Sequence, residues 1–260
     1  MTEPGPLSPT GPLTPTGPCR PTGPLRPICI VGPPAAGKTT LAERLGRAIP
    51  APVYRPRSVV QLAIDAEPAV IDLFPHDRRG FVPDEALGYA LRSLLAHLRG
   101  PVVLENLPWN VFQLADLHRI APRGMTFAIL TAPDDLLQRR REQRRYCQQC
   151  YPLPATHAAN NSCLRCGSNL TYRYDDETTT FAQRLAHRRA HTAKMISLAH
   201  KLQVSITELD ATAAPAELTR QLLEHFTLGI PTAARNDRIM HATPVDNTSE
   251  RSSARGTDDG

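Results

Sequence analysis

Residues 32–39 read Gly-Pro-Pro-Ala-Ala-Gly-Lys-Thr, a Gly-x4-Gly-Lys-Thr spacing. That pattern suits a loop whose backbone N–H groups wrap phosphate at the start of a helix. Gly32 and Gly37 permit backbone angles and close approaches that a β-carbon blocks. Lys38 would place a point charge on the β/γ-phosphates, and the Thr39 hydroxyl would hold Mg2+. The chain has only three lysines, Lys38, Lys194 and Lys201, so a lysine at this spacing is informative. A second constellation is Cys147-Gln-Gln-Cys150 and Cys163-Leu-Arg-Cys166, separated by twelve residues, with Gly167 after the second pair. Two such knuckles can set four thiolates around a structural Zn2+, leaving no open position for a catalytic water. His157, between them, reads as a solvated loop residue.

Arginines crowd both sides of the cysteine segment: Arg139, Arg140, Arg141, Arg144 and Arg145 before it, Arg173 and Arg184 after. They permit three readings. A zinc ribbon with a basic flank could grip nucleic acid. A small lid could bring guanidiniums to a transferring phosphoryl group, a reaction that depends on positioning and charge neutralisation. A solvated basic helix face is the third reading, assigned to Arg139, Arg141 and Arg145.

The elements that must position these residues follow from periodicity. Ile28-Cys29-Ile30-Val31 is a short apolar run suited to a buried parallel strand. Leu41, Leu45 and Ala48 then recur at helical spacing, so the phosphate loop joins a strand to a helix. Pro52–Tyr54 is a short second strand, and residues 58–99 are helical in pieces broken at Pro68, Pro75 and Pro83. From Asp84 to Leu98 the residues Leu87, Ala90, Leu91, Leu94, Leu95 and Leu98 form one apolar face. Pro101–Glu105 is a strand ending in a carboxylate, and Met125–Leu130 is another. Asp134–Arg145 reads as a helix with its basic end C-terminal, where the macrodipole favours it. Asp175-Asp176-Glu177 open a long helix to about Lys201; Val204–Leu209 is the last strand and Pro215–Phe226 the last helix. Such alternation implies a parallel sheet with helices on both faces, and ligands at the C-terminal strand ends.

The chain's 260 residues can bury a full core, and 30 basic against 25 acidic residues leave a mild formal charge of +5. That balance suits a polyanionic small molecule and does not require nucleic acid. Paired Cys-x2-Cys spacing favours metal in a reducing compartment over disulfides. No apolar run approaches the roughly 18 residues of a membrane span, and the N-terminus lacks a signal-peptide pattern, so a cytoplasmic protein is expected. Residues 1–27, rich in Pro, Gly and Thr with an echo of Pro-Thr-Gly-Pro, read as a disordered tail. Residues 229–260, polar and aperiodic, read as a second tail.

Several of these motifs, in order, resemble the adenylate kinases that carry a zinc-bearing lid. The loop is similar to that family's Gly-Pro-Pro-Gly-x-Gly-Lys, with Ala35 at its third glycine. Arg140-x3-Arg144-Arg145-x-Cys147 resembles the segment entering the lid, Leu170-x2-Arg173-x-Asp175-Asp176 the segment leaving it, and Gln183-Arg184-Leu185 follows at the family's distance. The resemblance implies an α/β fold of the P-loop nucleoside-triphosphate-hydrolase type, a parallel sheet flanked by helices with a small zinc-ribbon lid. It implies a kinase domain over 28–228, an acceptor-binding region at 54–83 and a lid at 145–176. It further implies a nucleoside monophosphate kinase using ATP, Mg2+ and structural Zn2+, monomeric, with nucleotides as substrates and no nucleic acid or membrane partner. Gly32, Pro33, Ala35, Ala36, Gly37, Lys38, Thr39 and Thr40 would surround the ATP phosphates, with Arg140 against the base. Arg144, Arg173 and Arg184 would gather the transferring charge, and Asp175 and Asp176 would latch the closed lid.

On the acceptor side the pattern changes. Val82, in Gly80-Phe-Val82-Pro83-Asp84-Glu85, resembles the family's flank of the monophosphate pocket. The family's Asp-Gly-Phe-Pro-Arg-Thr-x2-Gln becomes Glu105-Asn-Leu-Pro108-Trp109-Asn-x2-Gln113. Glu105 can still polarise a Mg2+ water shell and Gln113 can still bond a base. Trp109, however, stands at an arginine position, and a second acceptor arginine has no counterpart unless Arg55 or Arg57 supplies it. Charge-assisted bonds contribute on the order of 1.5–3 kcal/mol each, so two alternatives stay open. One is a non-nucleotide acceptor with Glu105 as base; the other is a weakly catalytic nucleotide-binding protein.

Overall fold

The computed structural model describes residues 23–68, 84–149, 161–172 and 176–228. Its elements, in order, are β1 (Arg26–Val31), α1 (Lys38–Ala48), β2 (Val53–Tyr54), α2 (Pro56–Ala66), α3 (Asp84–Ala96), β3 (Pro101–Glu105), α4 (Val111–Ile120), β4 (Thr126–Thr131), α5 (Asp134–Gln143), α6 (Thr178–Lys201), β5 (Ser205–Asp210) and α7 (Pro215–Leu228). The five strands form one parallel sheet in the order β2-β3-β1-β4-β5.

Strand periodicity divides the core in two. Cys29 and Val31 of β1, with Val102 and Leu104 of β3 and Phe127 and Ile129 of β4, pack on the face covered by α2, α3, α4 and the far half of α6. Ile28, Ile30, Val103, Ala128 and Leu130 point the other way, onto Leu41 and Leu45 of α1 and Leu218, Leu222 and Phe226 of α7. Covering both faces explains why β1 and β3 are continuous apolar runs. Each fully buried Leu, Ile or Phe contributes about 1.5–3 kcal/mol, which anchors the loops at the strand ends. Cys29 is a core residue whose thiol is pushed up by burial.

Several boundaries differ from the periodicity reading. Arg26 and Pro27 lie in β1, paired with Pro101 and Val102, and Gly100 N–H donates to Gly23 O, so ordered backbone starts before residue 28. Helix α4 was not expected; it starts at the Asn110 side chain, which accepts from Gln113 N–H at 3.0 Å. Its short apolar stripe, Leu114 and Leu117, is too sparse to show in the sequence between two strong strands. α5 ends at Gln143, two residues early, and α6 starts at Thr178 with the Glu177 carboxylate capping Thr179 and Thr180 N–H. The tails at 1–22 and 229–260, Val82 and the rest of 69–83, Cys150, His157, Arg173 and Asp175 lie outside the described residues.

Candidate active site

The sheet brings the ends of β1 and β3 side by side, with Ile30 opposite Glu105. From β1 the chain turns through Gly32, where a β-carbon would lie 2.6 Å from Leu130 O of β4. Ala35 and Gly37 take left-handed angles, φ 64° and 93°. Alanine there costs about 1 kcal/mol relative to glycine. α1 starts with no side-chain cap and no acid in its first turn, leaving its dipole and first N–H groups available to an anion. Lys38 Nζ lies back along the loop, donating to Gly32 O at 3.0 Å and Pro33 O at 2.6 Å. Thr39 Oγ1 donates to Glu105 Oε1, and Thr40 is exposed one residue further on.

Glu105 is 7 % exposed and holds two elements together. Besides Thr39, it accepts from Arg55 Nε at 2.5 Å, while Arg55 Nη2 donates to Glu43 Oε1 at 2.8 Å. Arg55 comes from the end of β2, so its guanidinium crosses toward the phosphate loop. Arg57 is exposed on α2.

The arginines before the cysteine segment take distinct places. Arg140 Nη1 donates to Ala36 O at 3.4 Å and Nη2 to Ala211 O at 2.8 Å, beside the phosphate loop. Arg144 grips Asp176 through two bonds, Nε–Oδ2 at 2.8 Å and a shorter Nη2–Oδ1 contact. Arg141 corrects an expectation. It is buried, donating to Asp176 O at 2.7 Å and Thr178 Oγ1 at 3.1 Å, with its guanidinium 5.6 Å from the Phe181 ring. α5 packs against the start of α6, so that helix face is an interface, whereas Arg139 is paired with Asp135 in the open. Arg145 lies over Tyr172 at 3.5 Å, stiffening the lid's base.

Electrostatics ties these groups to one point. Loss of water pushes the Lys38 ammonium down to about 7, and Arg188, Arg144 and Arg184 repel it further while Glu105 opposes them. Lys38 therefore feels three guanidiniums and the Glu105 carboxylate, with Arg144 itself paired to Asp176 and Glu105 to Arg55, an arrangement suited to a polyanion. Arg188 was not singled out from sequence. Its signal was available: it stands one helical turn after Arg184, on the same side of α6.

On the acceptor side, Trp109 is half-buried, its N–H donating to Gln113 Oε1 at 2.8 Å. Gln113 Nε2 reaches Asp84 O at 3.4 Å, so its amide is engaged within the protein. Arg188 Cζ lies 4.6 Å from the Trp109 ring centroid, and His187 and His191 flank that ring at 6.4 and 6.2 Å. Beyond them a cleft of about 390 Å3 opens between α3, α4 and α6, lined by Asp84, Asn110, Gln113 and Lys194 among others.

In the lid, the sulfurs of Cys147, Cys163 and Cys166 lie within 4.8 Å of one another. Isolated antiparallel bridges, Tyr146–Thr171 and Ser162–Asn169, join the two sides of the cysteine segment. Backbone N–H groups of Arg165 and Cys166 hold the Cys163 thiol below its ordinary range, favouring the thiolate that a metal takes. Gly167, at φ 76°, makes the knuckle turn, donating its N–H to Cys163 O at 2.7 Å. These three sulfurs fit three corners of a tetrahedron with metal–sulfur bonds of about 2.3 Å.

A strand–glycine loop–helix unit beside a strand-end carboxylate, on a parallel sheet in this order, defines a P-loop nucleotide-binding protein. A family model described as an AAA domain matches residues 28–151. The chain is 28% identical over 211 residues to an adenylate kinase of Streptomyces coelicolor, covering 76% of this chain and 96% of that one. It is 26% identical over 208 residues to an adenylate kinase of Lachnoclostridium phytofermentans, covering 75% and 95%. A third adenylate kinase, from Gemmatimonas aurantiaca, is 25% identical over 206 residues. These likenesses support an adenylate-kinase-like family and, at that level, a nucleotide kinase. No helix among the described residues is long and apolar enough to cross a membrane.

Proposed function

We propose that this protein transfers the γ-phosphoryl group of ATP to a nucleoside monophosphate, through one kinase domain spanning 28–228. The observation that carries this reading is the capless start of α1 after the glycine loop, with Thr39 on the Glu105 carboxylate and a Lys38 charge that feels Arg188, Arg144 and Arg184. Gly32 to Thr40 cradle the donor phosphates, with Arg140 on the base side. Lys38 turns from its loop carbonyls to the β/γ-phosphates. Arg144, Arg173 and Arg184 draw charge from the phosphoryl group as it moves, and the lid at 145–176 excludes water that would hydrolyse ATP.

Adenylate kinases use ATP and Mg2+, and here the residues fit the metal. The Thr39 hydroxyl and the Glu105 carboxylate already face each other at the loop, a hard oxygen pair of the type Mg2+ takes. Bound there, the ion would neutralise charge on the β- and γ-phosphates. The cysteine set fits a structural Zn2+ with Cys150 as fourth ligand.

The acceptor region at 54–83, with Val82 and Gln113 on the base side, receives the monophosphate, and Arg55 reaches its phosphate end. A phosphate acceptor is already ionised, so no general base is needed. The engagement of Glu105 by Thr39 and Arg55 supports that reading over one in which Glu105 deprotonates a hydroxyl. A coupled assay with ATP and a panel of monophosphates tests it, and absence of turnover with every nucleotide would end it. Glu105→Gln separates the two acceptor classes. We expect a loss that excess Mg2+ partly restores; a fall of about 100-fold that Mg2+ leaves untouched indicates a base and a hydroxyl acceptor.

A further inference from the structure

Arg188 is 2 % exposed and forms no ion pair with a carboxylate among the described residues. A guanidinium carries five N–H donors. Here Nη1 donates to Trp109 O at 3.1 Å and Nη2 more weakly to Pro108 O at 3.4 Å, while the Nε–H is buried with no acceptor. Buried charge without an ion partner is costly, and breaking water's bonds to it without replacement is what makes it so. Lost hydration holds the Arg188 guanidinium down at about 9, the sign of a charge waiting for a counterion. Of the three arginines that repel Lys38, Arg188 acts most strongly. The Trp109 ring covers one face of the guanidinium. That stacking leaves the in-plane N–H groups for an oxyanion, since cation–π contact and hydrogen bonding use different directions.

We propose that Arg188 is the residue that reads the anionic group of the phosphoryl acceptor, with Trp109 as the plate that orients it. Trp109 occupies a place where the local sequence offers no positive charge, and a residue of α6 delivers that charge from 79 positions away. The acceptor's oxyanion takes the free N–H donors, displacing the long Pro108 contact, and the unpaired charge is neutralised. The acceptor therefore carries a phosphate-type anion, a phosphate ester in the nucleotide reading, bound between Arg188 and the γ-phosphoryl group on Lys38. This inference rests on the phosphotransferase reading above and fixes the acceptor subsite within it.

Trp109 is the chain's only tryptophan, so its fluorescence reports this site without turnover. The experiment titrates wild type, Arg188→Gln and Arg188→Lys with AMP, GMP, CMP, UMP and inorganic pyrophosphate, and measures the affinity of a non-hydrolysable ATP analogue in parallel. Gln can still donate to the two carbonyls but carries no charge; Lys keeps the charge and loses the fork. We expect acceptor affinity to fall at least about 10-fold in Arg188→Gln and by no more than about 3-fold in Arg188→Lys. ATP-analogue affinity should stay within about 3-fold of wild type in both. Unchanged acceptor binding in Arg188→Gln overturns the proposal. So does an equal loss of both ligands in both variants with a lowered melting temperature, which marks Arg188 as a structural tie. A wild type that answers to pyrophosphate through Arg188 but to no nucleotide breaks the nucleotide reading and keeps this one. Silence toward every anion overturns this one.

Discussion

On the proposed donor side of the cleft, the groups that would face phosphate come from one short stretch: Gly32 to Thr40, closed by a helix start that has neither cap nor acid. On the proposed acceptor side they would come from three distant places, Arg55 after β2, Trp109 after β3 and Arg188 deep in α6. The donor half binds through backbone N–H groups, whose direction the loop itself fixes. The acceptor half depends on side chains held by tertiary packing. Positive charge can therefore leave one chain position there and return from another, provided the packing brings it to the same point. α6 joins the two halves, because Arg184 and Arg188 lie one turn, about 6 Å, apart along it.

This contrast can be broken in measurable steps. The largest effect is expected from Lys38→Met, which removes the donor point charge. Phosphoryl transfer should fall by about 10²–10³-fold, with acceptor affinity read from Trp109 changed little. Equal loss of acceptor binding would mean that the two halves are not separable. A middle-sized effect is expected from Cys147→Ser, or from prolonged chelation of the metal. Both should release about one zinc per chain and lower the melting temperature by roughly 5–10 °C. The KM for ATP should then rise more than that for the acceptor, since the lid carries Arg144 on one arm and leads into α6 on the other. A wild type that purifies without zinc, or whose melting temperature chelation leaves unchanged, would dismiss the metal.

The smallest effect serves as a control outside both halves. In α7, Arg220 donates to Glu217, with help from Gln221, and holds that carboxyl down at about 2. The folded value lies below the ordinary 4.5, so the folded state binds fewer protons than the unfolded chain between these values. The stabilisation is fully present above about pH 4.5 and is lost as pH falls toward 2. Glu217→Gln should lower the melting temperature by roughly a degree at pH 7 and not at all near pH 2. Neither ATP nor acceptor affinity should move; a change in either would couple α7 to the site.

Much of this architecture is legible where local chemistry leaves few options. The runs Ile28–Val31 and Pro101–Glu105 had to be buried strands because both faces of a parallel sheet are covered. Gly32 is needed where β4 leaves no space for a β-carbon, and the unit Gly-x4-Gly-Lys-Thr announces that turn before any fold is known. Helix α4 was harder to see, since its identity rests on the Asn110 cap and a thin apolar stripe. Arg141 was misassigned to solvent because helical spacing shows which residues share a face, not what covers it; α6 covers this one.

The sequence alone determined the phosphate loop, the alternation of strands and helices, and the knuckle turn at Cys163–Gly167, because each depends on residues within a few positions of one another. Only the tertiary structure decided that Arg55 pairs with Glu105, and that Arg188 lies against Trp109 with no carboxylate partner among the described residues. The reason is physical. Backbone turns and short ligand spacings are set by neighbours along the chain, whereas the balance of buried charge is set by whatever the packed helices bring within a few ångströms.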